Sequence, residues 1–189
     1  MTLATTRKFD VLDSSEERIT KEEIQLEVKR VSSEIEVSIG NTNPVLLGIM
    51  NGALRFCAAL IDGLPFKLEY DSFHISRYRG GMAGGDIKYL NYPKVSVKGR
   101  TVLVIDDILD QGKTLEAATQ WAKKNGASNV LTAVLINKKI NNRGRRIEPD
   151  FCCFEIQDEF IFGFGMDIDG YWRNLDSIYA ITNPAKFLP

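Results

Sequence analysis

Short, uninterrupted apolar runs recur along this chain, and they constrain its fold more than any other feature. Residues 45–50 read VLLGIM, residues 101–105 TVLVI, residues 130–136 VLTAVLI and residues 151–156 FCCFEI. Each is too short for a buried helix, so each is expected to be a strand buried on both faces. Helical stretches lie between them. Thr20-Lys21-Glu22-Glu23 fits a capping box, and Ile24, Val28, Val31 and Ile35 then recur along one helix face. Asn51-Gly52 turns the first run into a second helical stretch, ALRFCAALID. EAATQWAKKNGA, after Thr114, reads as a third, stopped at Gly126. Buried strands alternating with helices imply an α/β fold: a mainly parallel twisted sheet with helices on both faces. Residues 66–75 and 160–164 are expected to add further strands.

The chain has 189 residues, which fits a single domain. Its net charge of −1 leaves no global basic field to attract nucleic acid or an anionic membrane surface. No apolar run approaches the ~20 residues of a membrane span, and the N-terminal stretch has no apolar segment of a signal peptide. Cys57, Cys152 and Cys153 show neither a disulfide framework nor metal-ligand spacing. They are expected to be buried thiols of a cytoplasmic protein. His74 is the only histidine, and it lies within a strand-like stretch.

Residues 101–114, TVLVIDDILDQGKT, carry the chemistry. A buried strand is expected to end at Ile105 on two adjacent aspartates. Gly112-Lys113-Thr114 suggests a triphosphate loop, but that loop needs a glycine where Asp107 stands. A carboxylate there would repel triphosphate oxygens. Gly163-Phe164-Gly165 lacks the third glycine of a dinucleotide fingerprint, and DIDG at 167–170 places its glycine too early for a calcium loop. A strand, a loop and a helix in that order can bind a phosphate monoester through loop amides. Asp106 and Asp107 would then face polyol hydroxyls or a divalent cation. Asp110, between them and the phosphate cradle, is placed to act as a base. Together these describe a phosphorylated sugar with chemistry beside it.

On these residues the chain resembles the type I phosphoribosyltransferases. VLVIDDILDQGKT looks like their 5-phosphoribosyl diphosphate (PRPP) motif. LLGIMNGALRF resembles the diphosphate loop of the hypoxanthine–guanine branch, and FHISRYRGGMAGGDIKYL its mobile catalytic loop. AVLINKK with EPDFCCFEIQDEFIFGFGMDIDGYWRNL resembles its purine-binding hood. The resemblance implies one phosphoribosyltransferase domain over 1–189, with a core at about 40–150. The hood would run from about 150 to 189 and include N-terminal residues. It implies that Asp106 and Asp107 contact ribose hydroxyls, directly or through Mg2+, and that Asp110 is the general base. Gln111, Gly112, Lys113 and Thr114 would cradle the 5′-phosphate. Met50, Asn51, Gly52 and Arg173 would bind diphosphate. Lys138, or its neighbour Lys139, would read the purine 6-oxo group. Phe160 would stack on the base, Ile161 would meet it through its backbone, and Asp167 would meet a second Mg2+. Many members carry lysine where Asn51 stands here, in a peptide that is often cis. Arg77 or Arg79, flanking Tyr78 in the mobile loop, would then supply the missing charge.

The implied partners are PRPP and a 6-oxopurine, in a homodimer or homotetramer with no nucleic acid and no membrane. Two alternatives stay open. One is an enzyme preferring xanthine. The other is an RNA-binding regulator on the same fold, using the local basic run of Lys138, Lys139, Arg143, Arg145 and Arg146.

Overall fold

Thr20 opens the first long helix as its sequence requires. The computed structural model describes residues 11–77, 87–139, 145 and 147–182. Glu23 N–H donates to Thr20 Oγ1 at 3.3 Å, and Thr20 N–H donates to Glu23 Oε2 at 2.8 Å. This closes the capping box of α1 (Lys21–Ile39), whose Ile24, Val28, Val31, Ile35 and Ile39 are buried. Thr20→Ala removes half of the box and is expected to cost about 1 kcal/mol of stability. Thermal unfolding should show a lower Tm; an unchanged Tm would mean that the box contributes nothing.

Strand β1 (Ser15–Ile19) precedes α1, and the chain continues through β2 (Val45–Met50), α2 (Leu54–Asp62), β3 (Glu69–Arg77) and β4 (Ile87–Asn91). Then come β5 (Thr101–Leu109), α3 (Lys113–Lys124), β6 (Asn129–Lys139), β7 (Phe151–Gln157), β8 (Ile161–Phe162) and β9 (Ile178–Ile181). The main sheet has six strands in the order β4-β3-β2-β5-β6-β7. All neighbours pair in parallel except β4, which runs antiparallel to β3 at the edge.

Strand alternation splits the core into two layers. Leu46, Leu103, Ile105 and Leu135 join the buried faces of α1 and α2. Val45, Leu47, Val102, Val104 and Val134 join Leu115, Ala118 and Ala122 of α3. The continuous apolar runs are therefore buried on both sides, and this is the expected α/β architecture. A second, three-stranded antiparallel sheet has the order β1-β9-β8. It packs Val11, Phe162, Ile168 and Ile181 into a small core of its own. No helix among the described residues is long and apolar enough to cross a membrane.

Several boundaries differ from the sequence expectation. β5 does not stop at Ile105; its ladder with β6 runs on through Asp106↔Val134 to Leu109↔Asn137. The acidic pair thus sits inside a strand, because the pairing with β6 continues to Leu109, itself buried in the core. β6 likewise reaches Lys139, so Lys138 and Lys139 are strand residues and not loop charges. The strand expected over 66–75 begins only at Glu69. The one expected over 160–164 is reduced to Ile161–Phe162. There Gly163, Phe164 and Gly165 take φ values of 98°, 46° and 106°, which bend the chain away from the extended form.

Candidate active site

The carboxyl ends of β2, β5 and β6 open on a cleft of about 350 Å³. Parallel sheets place their ligands at this end. Met50, Asn51, Gly52, Asp106, Asp107, Asp110, Thr114, Lys138, Phe160, Ile161, Asp167 and Arg173 all line it. Segments far apart in the chain are brought to one hollow, as the sequence motifs require.

Asp106 is buried and Asp107 partly so. Each carboxylate ties down the residue after it: Asp107 N–H donates to Asp106 Oδ1 at 3.0 Å, and Ile108 N–H to Asp107 Oδ1 at 2.9 Å. Burial pushes the Asp107 carboxyl above its ordinary range, against the opposing pull of Asp106, the Ile108 amide and the Arg173 charge. A carboxyl raised in the folded chain contributes stability below its unfolded pKa, and that contribution is lost as pH rises through the folded value. Ionised Asp107 therefore destabilises the unliganded fold at neutral pH. Asp107→Asn is expected to raise Tm at pH 7, with the gain shrinking as the buffer is acidified towards pH 4. A lower Tm at pH 7 would contradict this sign.

The loop after β2 passes directly over Asp107. The Met50–Asn51 peptide is cis. A Cβ on Gly52 would overlap the Asp107 carboxylate, and a Cβ on Gly165 would overlap the Gly52 carbonyl. Gly165, Gly52 and Asp107 thus form a column from the β8–β9 loop down to the sheet. Arg55, in the first turn of α2, donates to the carbonyls of Asn174 and Leu175 and sits 4.6 Å above the Phe164 ring. The same loop is thereby fastened from its far side.

Beyond Asp110 the chain turns into α3 through Gly112, whose φ of 76° is left-handed and favours glycine. Thr114 reaches the cleft, while Gln111 and Lys113 are exposed and Gly112 is buried. Gln111, Gly112 and Lys113 are not part of the cleft wall. Ile147 Cγ2 lies 2.8 Å from where a Cβ of residue 112 would stand, so the turn is closely backed.

Alternation along β6 turns the two lysines opposite ways. Lys138 turns into the cleft with an 11% exposed side chain, its Nζ 3.2 Å from Asp158 Oδ1. Lys139 points away, is 55% exposed, and pairs with Glu155. Arg173 donates to the Gly165 carbonyl at 2.6 Å and pairs with Asp167 Oδ1 at 2.7 Å. The other Asp167 oxygen accepts from Gly170 N–H at 2.6 Å. Both Asp167 oxygens are engaged within the chain. The Arg77 side chain, Tyr78 and Arg79 lie outside the described residues.

Sequence reasoning missed Ile49, Ile75 and Ile108, which supply apolar wall to the cleft. Ile108 was legible in retrospect, because it stands between Asp106 and Asp110 at the two-residue period of a strand. It also missed Asp158, the partner of Lys138. A larger hollow of about 560 Å³ opens between α1 and α2, with Ile24, Val28, Ala59 and Phe164 in its walls. It lies away from the strand ends, so volume alone does not mark the reactive site.

The family model "Phosphoribosyl transferase domain" matches residues 15–169. Hypoxanthine-guanine phosphoribosyltransferase of Bacillus subtilis (strain 168) is 34% identical over 170 residues, spanning 89% of this chain and 93% of that protein. The solved hypoxanthine phosphoribosyltransferase of Staphylococcus aureus superposes with a TM-score of 0.85 at 26% identity, covering 92% of this chain and 95% of that one. The Trypanosoma cruzi hypoxanthine phosphoribosyltransferase, solved with the product IMP, gives 0.81 at 25% identity, covering 91% and 97%. With acidic residues near the end of β5, a left-handed turn at Gly112 and a match that runs from β1 to the loop before β9, the chain belongs to the phosphoribosyl transferase domain family, in its hypoxanthine-guanine branch.

Proposed function

We propose that this protein is a purine salvage enzyme that transfers the 5-phosphoribosyl group from PRPP to N9 of a 6-oxopurine. Hypoxanthine and guanine are the bases, and IMP or GMP and diphosphate are the products. The observation that carries the reading is one cleft holding Asp106, Asp107 and Asp110 together with Lys138 and the Met50–Gly52 loop. The bond from ribose C1 to the diphosphate oxygen breaks, and the bond from C1 to purine N9 forms. The proton given up by the purine goes to Asp110. Positive charge develops on the ribose as the first bond loosens, and Asp106 and Asp107 face it as carboxylates. The amides of residues 111–114, at the start of α3, hold the 5′-phosphate. Gly52, Asn51 and Arg173 meet the leaving diphosphate. Phe160 and Ile161 hold the base, and Lys138 donates to its 6-oxo group. A 6-amino group would turn a donor toward the ammonium and offer it no acceptor.

The cleft suits Mg2+, because its donors are carboxylate oxygens and Mg2+ is commonly held by one or two carboxylates plus substrate phosphates. Asp106 and Asp107 would hold one ion, and Asp167 a second once Arg173 turns to diphosphate. When bound, the ion neutralises charge on the diphosphate. Chelation by EDTA is expected to abolish turnover, and added Mg2+ to restore it.

The test is PRPP-dependent conversion of hypoxanthine, guanine, xanthine and adenine, compared by kcat/KM. Hypoxanthine and guanine should lead. Xanthine in the lead would move the assignment to the xanthine enzyme, and no nucleotide from any base would overturn it. Of the basic run behind the RNA-binding alternative, the Arg145 and Lys138 side chains are only 5% and 11% exposed and add little to a basic face, while Arg143 and Arg146 lie outside the described residues.

A further inference from the structure

Arg145 is the most heavily engaged side chain near the cleft that the reaction does not use. It belongs to the segment that follows β6. Its Nη1 donates to the Lys138 carbonyl at 2.9 Å, and its Nη2 to Asn137 Oδ1 at 2.5 Å. Nε donates to the Ile147 carbonyl at 3.1 Å, and Nη2 also meets Glu148 Oε2 at 2.6 Å. Asn137 is buried, and the Arg145 side chain is only 5% exposed. A guanidinium withdrawn from water must be fully hydrogen-bonded, and only the planar fork of arginine serves acceptors in several directions at once. Three of the acceptors lie on the end of β6 or on the residues that back the phosphate turn. Arg145 Cγ stands 3.6 Å, and Ile147 Cγ2 2.8 Å, from where a Cβ of Gly112 would be. The end of β6 carries Lys138 into the cleft. One side chain therefore joins the backbone of the purine-reading lysine to the wall behind the phosphate cradle.

We propose that Arg145 is a positioning residue: it fixes Lys138 for recognition of the purine 6-substituent and, through Ile147, braces the phosphate turn at Gly112. This rests on the 6-oxopurine transferase reading above. Asp158 also touches Lys138, but at the ammonium end and from a largely exposed position. The main chain there is held by pairing with β7, through Lys138↔Ile156 and Lys139↔Gln157, while the ladder with β5 ends at Asn137. Arg145 acts on the main chain beneath that ammonium.

The test uses Arg145→Met and Arg145→Lys in the full chain, with Tm measured to confirm folding. Arg145→Lys keeps the charge and the stem but loses the fork, so it remains informative if Arg145→Met does not fold. Kcat/KM for hypoxanthine is expected to fall about tenfold, the scale of a lost charged hydrogen bond. Competitive inhibition by unsubstituted purine, which has no 6-oxo group, should barely change, because no Lys138 contact is at stake. KM for PRPP should rise in parallel. In a Lys138→Met background, at saturating PRPP, the Arg145 substitution should cost much less in kcat/KM for hypoxanthine, since on the purine side the two act through one contact. Glu148→Gln should match the wild type. Additive losses with Lys138→Met, or equal weakening of hypoxanthine and unsubstituted purine, would reduce Arg145 to a general structural role and overturn the proposal. If the wild type converts no 6-oxopurine, the functional assignment fails first, and that failure is distinct.

Discussion

Asp110→Asn is expected to lower kcat by at least tenfold, and by up to about 10⁴-fold, the range for a positioned general base. The affinity for PRPP should stay near wild type. The reason for this split lies in where Asp110 stands. It lines the cleft just past the end of β5, partly exposed, between the acidic pair and Thr114. The groups proposed to hold diphosphate lie on the β2 loop and at Arg173, and those for the 5′-phosphate at the start of α3. An asparagine there has almost the same shape and loses only the basicity. Steady-state kinetics with varied PRPP separates the two parameters, and the acid limb of the kcat–pH profile should change with the substitution. A variant with wild-type kcat would place the base elsewhere.

Gly52→Ala is expected to lower kcat/KM for PRPP by about 100-fold, the cost of misplacing a substrate-positioning element by about 1 Å. Tm should fall only slightly. The added methyl would occupy the space of the Asp107 carboxylate. The loop cannot simply rise, because Gly165 presses on the Gly52 carbonyl from above and Arg55 holds α2 to the carbonyls of residues 174 and 175. Either the loop or Asp107 must leave its place, and both line the cleft. The substituted atoms lie at its wall and not in the hydrophobic core, which is why activity should suffer more than stability. Kinetics near wild type would show that the column yields without cost.

The lining of the cleft was legible wherever it lay in one continuous stretch. Asp106, Asp107, Asp110 and Thr114 fall within nine residues of a strand, loop and helix, and their order alone places them at the carboxyl end of the sheet. The main sheet was legible too, because strands buried on both faces leave uninterrupted apolar runs. β1 was not. Its sequence SEERI is mostly exposed and has no apolar period, and it is a strand only because Ser15, Glu16 and Glu17 find backbone partners on β9. β4 is an edge strand beside a glycine-rich stretch and gives a similarly weak signal. The choice between Lys138 and Lys139 needed the strand phase, which the sequence left open by one residue. The contact of Gly52 with Asp107 follows from the register of β2 against β5, Gly48 opposite Ile105, and no local pattern encodes it.

β9 lies between β1 and β8 in the small sheet, so it joins a segment near residue 15 to one near residue 161. During synthesis the Asp106–Thr114 segment and the whole parallel sheet emerge from the ribosome before β9 does. The side of the cleft at Phe160 and Ile161, proposed to hold the purine, has its strand partner only afterwards. A nascent chain can thus form the proposed sugar-phosphate half early, while the half proposed to recognise the base waits for one of the last strands to arrive.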